Sequence, residues 1–149
     1  MEVFYAAYAV RKLIEAFKVS DDVASMRINA AKHPAIGRVA DLMNWHQIDQ
    51  LYDLSESEPW QLSLKEFCNQ IIHSFVFVPC LGEGRSNLVG LFVSSDHQRA
   101  RGLFYFDIDL VIQLLEAVAH DDIVCMSLKR DGIDQPLKVT RKSCKLGKK

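Results

Sequence analysis

Three apolar runs between residues 73 and 107 constrain the fold more than any other feature of the chain. The runs read HSFVFVPC, LVGLFVSS and LFYFD, and the short polar segments LGEGRSN and DHQRARG separate them. Apolar runs of this length, rich in Phe and Val, are typical of β-strands, and connections this short make consecutive strands antiparallel neighbours. The sequence therefore predicts a three-stranded meander over residues 75–78, 88–93 and 103–106.

These runs are continuous rather than alternating, since residues 76–78 and 103–106 are all apolar. A strand that is apolar on both faces needs cover on both faces, so we expect helices packed against a small sheet. The helix-period spacing of apolar residues, together with their caps, predicts three such helices. They cover residues 2–18, residues 63–73 with a capping box from Ser63 to Glu66, and residues 108–120 with Asp107 as the cap.

Other segments give weaker signals. Residues 44–54 favour a short helix capped by Asn44, and residues 55–59 a polar break. Residues 19–43 leave alternatives open: a short helix over 23–26, or short edge strands at 27–31 and 38–42. The C-terminal part predicts strands at 123–128 and 137–140, joined by a turn at Asp131 and Gly132. The predicted class is α+β, with N-terminal helices, an antiparallel meander covered by helices, and a C-terminal hairpin.

We predict one α+β domain over residues 1–140 and a basic flexible tail over 141–149. The tail holds five basic residues and no acid: Arg141, Lys142, Lys145, Lys148 and Lys149. The rest of the chain contains 13 basic and 19 acidic residues. A domain with this net negative charge is not expected to bind nucleic acid broadly. The tail is a candidate for weak contact with nucleic acid or with an acidic partner, or it is a solubilising terminus.

The cysteines and the apolar runs bear on the cellular compartment of the protein. Cys68, Cys80, Cys125 and Cys144 form no CxxC pair, and three of them lie in apolar segments, so we expect a reducing, cytoplasmic setting and no zinc site. His33, His46 and His120 have no histidine or cysteine partner three or four residues away, so neither a metal nor another cofactor is predicted. The sequence contains no signal-peptide pattern. It also contains no apolar run of about 20 residues, the length needed to span a bilayer, so no membrane association is predicted.

The predicted meander gathers one set of polar side chains. Strand one starts at the end of the sheet where strand two ends and strand three begins, so the loop at 96–101 should lie beside the end of the 63–73 helix. The candidate binding residues are Asn69, His73, Asp96, His97, Arg99 and Arg101. Imidazoles exchange protons near neutral pH, and guanidiniums hold phosphate or carboxylate. In an enzyme, His73, His97 and Arg101 would carry the chemistry; the alternative is a charged loop beside a helix-terminal histidine.

Part of this set has a local resemblance. Residues 68–73, CNQIIH, resemble the Arg-Asn-x-x-x-His helix motif of HEPN-domain ribonucleases. The resemblance implies an all-helical domain in which Arg stabilises the transition state and His performs acid–base chemistry on a 2′-hydroxyl and phosphate, usually across a dimer. Asn69 and His73 match that motif. Cys68 stands where the motif has Arg, and a thiol does not supply that fixed positive charge.

Two functions remain open. A Gly-x-Ser-x-Gly elbow is absent, and the glycine-containing loop at 81–87 joins two strands rather than opening a helix. Phe4 and Tyr8 add an aromatic strip beside the main stripe of the first helix, which predicts an interface with a protein partner or a second copy. The first hypothesis is a non-enzymatic macromolecule-binding protein, an accessory or regulatory subunit of a larger bacterial assembly. The alternative is a degenerate HEPN-like ribonuclease or another phosphate-handling enzyme.

Overall fold

A computed structural model describes residues 2–84 and 87–143. In these residues the elements are α1 (Glu2–Glu15), α2 (Asp21–Ala24), β1 (Arg27–Pro34), α3 (Ile48–Leu51), β2 (Glu58–Ser63), α4 (Leu64–Ile72), β3 (Ser74–Leu81), β4 (Leu88–Ser95), β5 (Gly102–Asp107), α5 (Ile108–Ala119), β6 (Cys125–Lys129) and β7 (Lys138–Ser143). Within the same residues, β1 to β5 form an antiparallel sheet of order β2-β1-β5-β4-β3, and β6 and β7 form a separate hairpin. The predicted α+β class is confirmed.

The central meander is also confirmed. β3, β4 and β5 are consecutive antiparallel neighbours, and the register pairs Leu91 with Phe106 and Phe92 with Tyr105. Because side chains alternate along a strand, Leu91 and Phe106 point to one face of the sheet while Phe92 and Tyr105 point to the other. Each strand is longer than its apolar run, since ladder pairing continues into the flanking polar residues.

The three long helices cover one face of the sheet. Their buried residues and those of the strands form one core cluster: Ala7, Val10, Ile28, Leu62, Leu64, Phe67, Cys68, Ile71, Leu91, Val93, Phe104, Phe106, Val111, Leu114 and Val118. At its centre the rings of Phe67 and Phe106 meet edge to face, with centroids 5.1 Å apart. Ser63 and Glu66 form the predicted capping box, and Asp107 caps α5 as predicted.

An irregular segment covers part of the other face. Ala40, Leu51 and Tyr52 pack there against Val76 and Leu103. The helix predicted at 44–54 is wrong in length, because α3 has only four residues. The predicted cap is also wrong: Asn44 accepts a hydrogen bond from the N–H of Asp41 instead, and Gln47 takes the N-cap position without a side-chain bond.

Residues 19–43, for which the sequence left alternatives open, contain one short helix and one strand. Ser20 caps the short helix α2 with its hydroxyl, and β1 lies inside the sheet between β2 and β5 rather than at an edge. Residues 38–42 are not a strand. The polar break predicted at 55–59 overlaps β2, which the sequence did not reveal because its residues are mostly exposed and include Pro59. A proline is accepted there because β2 is the outermost strand.

The helix and hairpin ends depart from their predicted limits. α1 ends at Glu15 instead of residue 18, because Phe17 adopts a left-handed φ of 58° and the N–H of Lys18 bonds back to the carbonyl of Leu13 at 2.8 Å. The hairpin strands begin at Cys125 and Lys138. β7 continues through residues 141–143, which the sequence predicts as part of the tail, and residues 144–149 lie outside the described part of the chain.

Candidate functional site

The end of α4 lies beside the loop after β4, as the meander predicts. Ser74 pairs with Ser95 in the ladder, and the N–H of Asp96 donates to the carbonyl of His73 at 3.1 Å. This junction joins the C-terminus of α4 to the start of the loop. The predicted proximity of His73 to residues 96–101 is confirmed.

A groove of about 400 Å³ opens at this junction. It is lined by Asn69, Gln70, His73, Ser95, Asp96, His97 and Gln98. Four of the six candidate binding residues therefore share one groove, namely Asn69, His73, Asp96 and His97. The sequence reasoning missed the two glutamines. Gln70 had a recognisable signal, because it precedes His73 by three residues and so lies on the same helix face; its Oε1 accepts from the N–H of Ser95 at 3.2 Å.

Arg99 is not among the lining residues of that groove. Its Nη1 donates to the carbonyl of Ala40 at 2.7 Å, and its Nε lies 3.2 Å from Asp96 Oδ1. The guanidinium stacks over the Phe75 ring, 4.1 Å from the centroid, and the Arg99 carbonyl accepts from the Tyr52 hydroxyl at 2.9 Å. Arg99 thus connects the loop after β4 to the irregular segment that covers the sheet.

Arg101 lies in a different groove, of about 320 Å³. That groove is lined by Lys32, Pro34, Glu56, Ser57, Glu58 and Arg101. The loop is a tight turn in which the N–H of Arg101 bonds to the carbonyl of Gln98 at 2.8 Å. Neighbouring side chains of a turn point in different directions. Although Arg99 and Arg101 are close to His97 in sequence, neither of them therefore lines the groove that holds His73 and His97.

A different arginine contacts one of the residues that line the groove. Arg11 of α1 donates from Nε to Asn69 Oδ1 at 3.0 Å and pairs with Glu15 at 2.9 Å. This contact joins residues 58 positions apart, and no local pattern indicated it. The groove is therefore lined by two imidazoles, one exposed carboxylate and several amides, and Arg11 is hydrogen-bonded to Asn69.

The position that the HEPN motif gives to Arg is chemically inert here. Cys68 is fully buried, and burial raises the pKa of its thiol to about 11, so the group stays neutral at physiological pH. α4 leads directly into β3 of an antiparallel sheet, which differs from the all-helical domain that the resemblance implied. The six-residue likeness thus extends to Asn69 and His73 and not to the surrounding fold.

The predicted aromatic strip of α1 is divided between two environments. Phe4 packs against Phe77 with ring centroids 4.8 Å apart, at the margin of the main core. Tyr8 is 55% exposed, and Lys12 Nζ lies 5.6 Å from its ring centroid. Tyr5 is exposed as well. Phe4 therefore contributes to the folded chain, while Tyr8 remains on the surface.

The irregular segment exposes two large apolar side chains. Leu42 and Met43, here called the apolar tip, are each 82% exposed. Asp41 Oδ1 accepts from the N–H groups of Met43 and Asn44 at 2.8 and 3.0 Å, and Asn44 Oδ1 accepts from the N–H of Asp41 at 2.7 Å. The preceding residue, Ala40, is buried and receives the hydrogen bond from Arg99. The turn is therefore held on both sides while the apolar tip faces solvent.

Two further features bear on the site. Across residues 2–84 and 87–143, no group of three or more His, Cys, Asp or Glu side chains is placed to hold a metal ion. In the same residues, no helix is both long and apolar enough to cross a bilayer. Comparison with family models, with curated proteins and with solved structures found no match for this chain.

Proposed function

We propose that this chain is a non-enzymatic protein-binding module, a cytoplasmic accessory or regulatory subunit of a larger assembly, and that the apolar tip is its docking element. The observation that carries the proposal is the 82% exposure of both Leu42 and Met43. Fully burying a side chain of this size is worth about 1.5–3 kcal/mol. A partner pocket that covers both would gain roughly 3–6 kcal/mol before the costs of association.

The rigidity of the turn supports binding rather than accidental exposure. Asp41 and Asn44 bond each other's backbone N–H groups, and Arg99 holds the carbonyl just before them. A side chain that is presented by a constrained turn loses less conformational entropy on binding than one on a free loop. The tip is thus preorganised for a complementary surface.

The surroundings of the tip favour a protein partner. The flanking charges are mixed, with Arg38 and Asp41 on the same segment and Asp49 in α3. Affinity for nucleic acid depends on clustered positive charge, which this neighbourhood does not provide. Two apolar side chains fit a desolvated pocket on a folded protein, where such anchors supply most of the binding energy.

Affinity capture from a lysate of the native host tests the proposal. Bait chains would be the wild type, Leu42→Asp with Met43→Asp, and a control, Leu54→Asp, at an apolar side chain that is 37% exposed outside the turn. We expect a protein that the wild type and the control retain and that the double variant loses, with direct binding of that purified protein reproducing the difference. Equal retention by all three baits, with matched melting temperatures, would contradict the proposal.

The second candidate function is acid–base chemistry on a phosphate ester, including ribonuclease activity. It is favoured by the single groove that holds His73 and His97 beside Asn69. The absence of Arg99 and Arg101 from that groove weakens it, since no cationic side chain that stays charged at neutral pH is among its lining residues. Cleavage of a fluorogenic RNA by the wild type, abolished in both His73→Ala and His97→Ala, would favour this function over the first.

A further inference from the structure

The C-terminal hairpin, here called the arm (residues 125–143), is attached to the body at its base. The N–H of Lys142 donates to Asp21 Oδ2 at 2.9 Å, and Lys142 Nζ lies 3.7 Å from Asp21 Oδ1. The N–H of Val124 donates to the carbonyl of Ser143 at 3.1 Å. The side chain of Lys142 is only 8% exposed, so this end of the arm has a defined position on α2.

Beyond its base the arm is uncovered. All five residues of β6 are exposed, and the turn carries Ile133 with 90% of its surface exposed. Met126, Leu128 and Leu137 are exposed large apolar side chains as well. A two-stranded hairpin is only marginally stable in water unless something packs against it. The arm therefore presents an apolar surface that nothing in the described residues covers.

The charge of the chain is divided between the arm and the body. The arm contains five Lys or Arg and two Asp, and residues 144–149 add three Lys, whereas residues 1–124 contain ten Lys or Arg and 17 Asp or Glu. The net charge of −1 is thus a balance of a basic C-terminal region and an acidic body. The arm of one chain is electrostatically complementary to the body of another.

The body also has an apolar groove, of about 520 Å³. It is lined by Glu2, Val3, Phe77, Pro79, Leu88, Leu91 and Ile108. The groove lies at the N-terminal end of α1, whereas the arm meets the C-terminal end, where Lys142 Nζ is 5.6 Å from the Phe17 ring centroid. A helix of 14 residues is about 21 Å long, so the groove and the base of the arm are well separated on one chain.

We propose that the arm docks into the apolar groove of a second copy of this chain, with Ile133 as the apolar anchor and Arg130 facing the acidic rim at Glu2. Reciprocal exchange of arms between two copies would give a closed dimer. The surface is distinct from the apolar tip, so the inference goes beyond the proposed function. A nucleic-acid partner is less favoured, because the exposed side chain of Ile133 suits an apolar groove, whereas affinity for nucleic acid depends mainly on contacts of basic side chains with phosphate.

Light scattering after size-exclusion chromatography, over a wide range of protein concentration, tests this inference. The wild type should approach twice the chain mass of 16.9 kDa as concentration rises. Ile133→Asp should stay at the monomer mass, while the control Leu42→Asp, on the apolar tip, should associate like the wild type. A monomeric wild type at all concentrations, or an Ile133→Asp variant that still associates, would overturn the proposal.

A charge exchange identifies the acceptor surface. Arg130→Glu and Glu2→Lys should each weaken association. An equimolar mixture of the two variants should recover it, because each mixed pair has one native Arg130–Glu2 contact and one contact in which both charges are reversed. Melting temperatures close to that of the wild type would show that both variants fold. No recovery in the mixture would exclude this groove, and association only on addition of a DNA or RNA duplex would replace the second copy with nucleic acid.

Discussion

Replacing Arg99 with Ala tests whether the fold holds the apolar tip in place. The guanidinium makes three contacts that the change removes: a hydrogen bond to the buried carbonyl of Ala40, an ion pair with Asp96 and stacking on Phe75. Without the side chain, the Ala40 carbonyl loses a charged donor. We expect a less stable protein with a looser turn at the tip.

The size of the effect follows from the three contacts. A hydrogen bond to a charged group contributes about 1.5–3 kcal/mol. A partly desolvated cation–π contact adds about 0.5–2 kcal/mol. The Asp96 carboxylate is 61% exposed, so its ion pair adds less than about 1 kcal/mol. Because contacts of one side chain are not additive, we expect a loss of about 2–4 kcal/mol in the free energy of unfolding.

Urea denaturation followed by circular dichroism measures this loss, and the melting temperature should fall by roughly 5–12 °C. The matched control is Arg101→Ala, whose side chain lines an open groove and which should change stability by less than about 0.5 kcal/mol. Arg99→Lys should lie between the two, since an ammonium lacks the planar fork of donors. Equal stability of Arg99→Ala and Arg101→Ala would refute the reasoning, as would unchanged partner binding by a destabilised Arg99→Ala.

Three other predictions follow from the core, the helix cap and the groove. Phe106→Ala should cost about 3–5 kcal/mol by denaturant titration, because that ring is fully buried, whereas Phe77→Ala, at a partly buried ring, should cost less. Ser63→Ala should cost about 1 kcal/mol. The Ser63 hydroxyl and N–H donate to the Glu66 carboxylate and hold its pKa below the usual 4.5. The contribution of these bonds to stability is therefore complete above about pH 4.5 and disappears as pH falls through the lowered pKa. In Ser63→Ala, the free energy of unfolding should depend less on pH in that range. His73→Ala should leave the melting temperature nearly unchanged, since the side chain is exposed, and a large drop would assign it a structural role.

Local patterns were sufficient for much of the fold. The apolar runs predicted β3, β4 and β5 as an antiparallel meander, and the caps at Ser63 and Asp107 predicted the starts of α4 and α5. These features depend on residues within a few positions of each other, where periodicity and capping preferences act directly. The approach of His73 to the loop after β4 followed from strand order alone.

Tertiary packing decided the rest. The interior place of β1 depends on its ladders with β2 and β5, which join residues 26–36 and 68–74 positions apart, respectively. The separation of Arg99 from Arg101, the contact of Arg11 with Asn69 and the exposure of the apolar tip likewise depend on which distant segment lies opposite. Sequence patterns report what a residue prefers, whereas burial and hydrogen bonding over long range determine which of those preferences the folded chain can satisfy together.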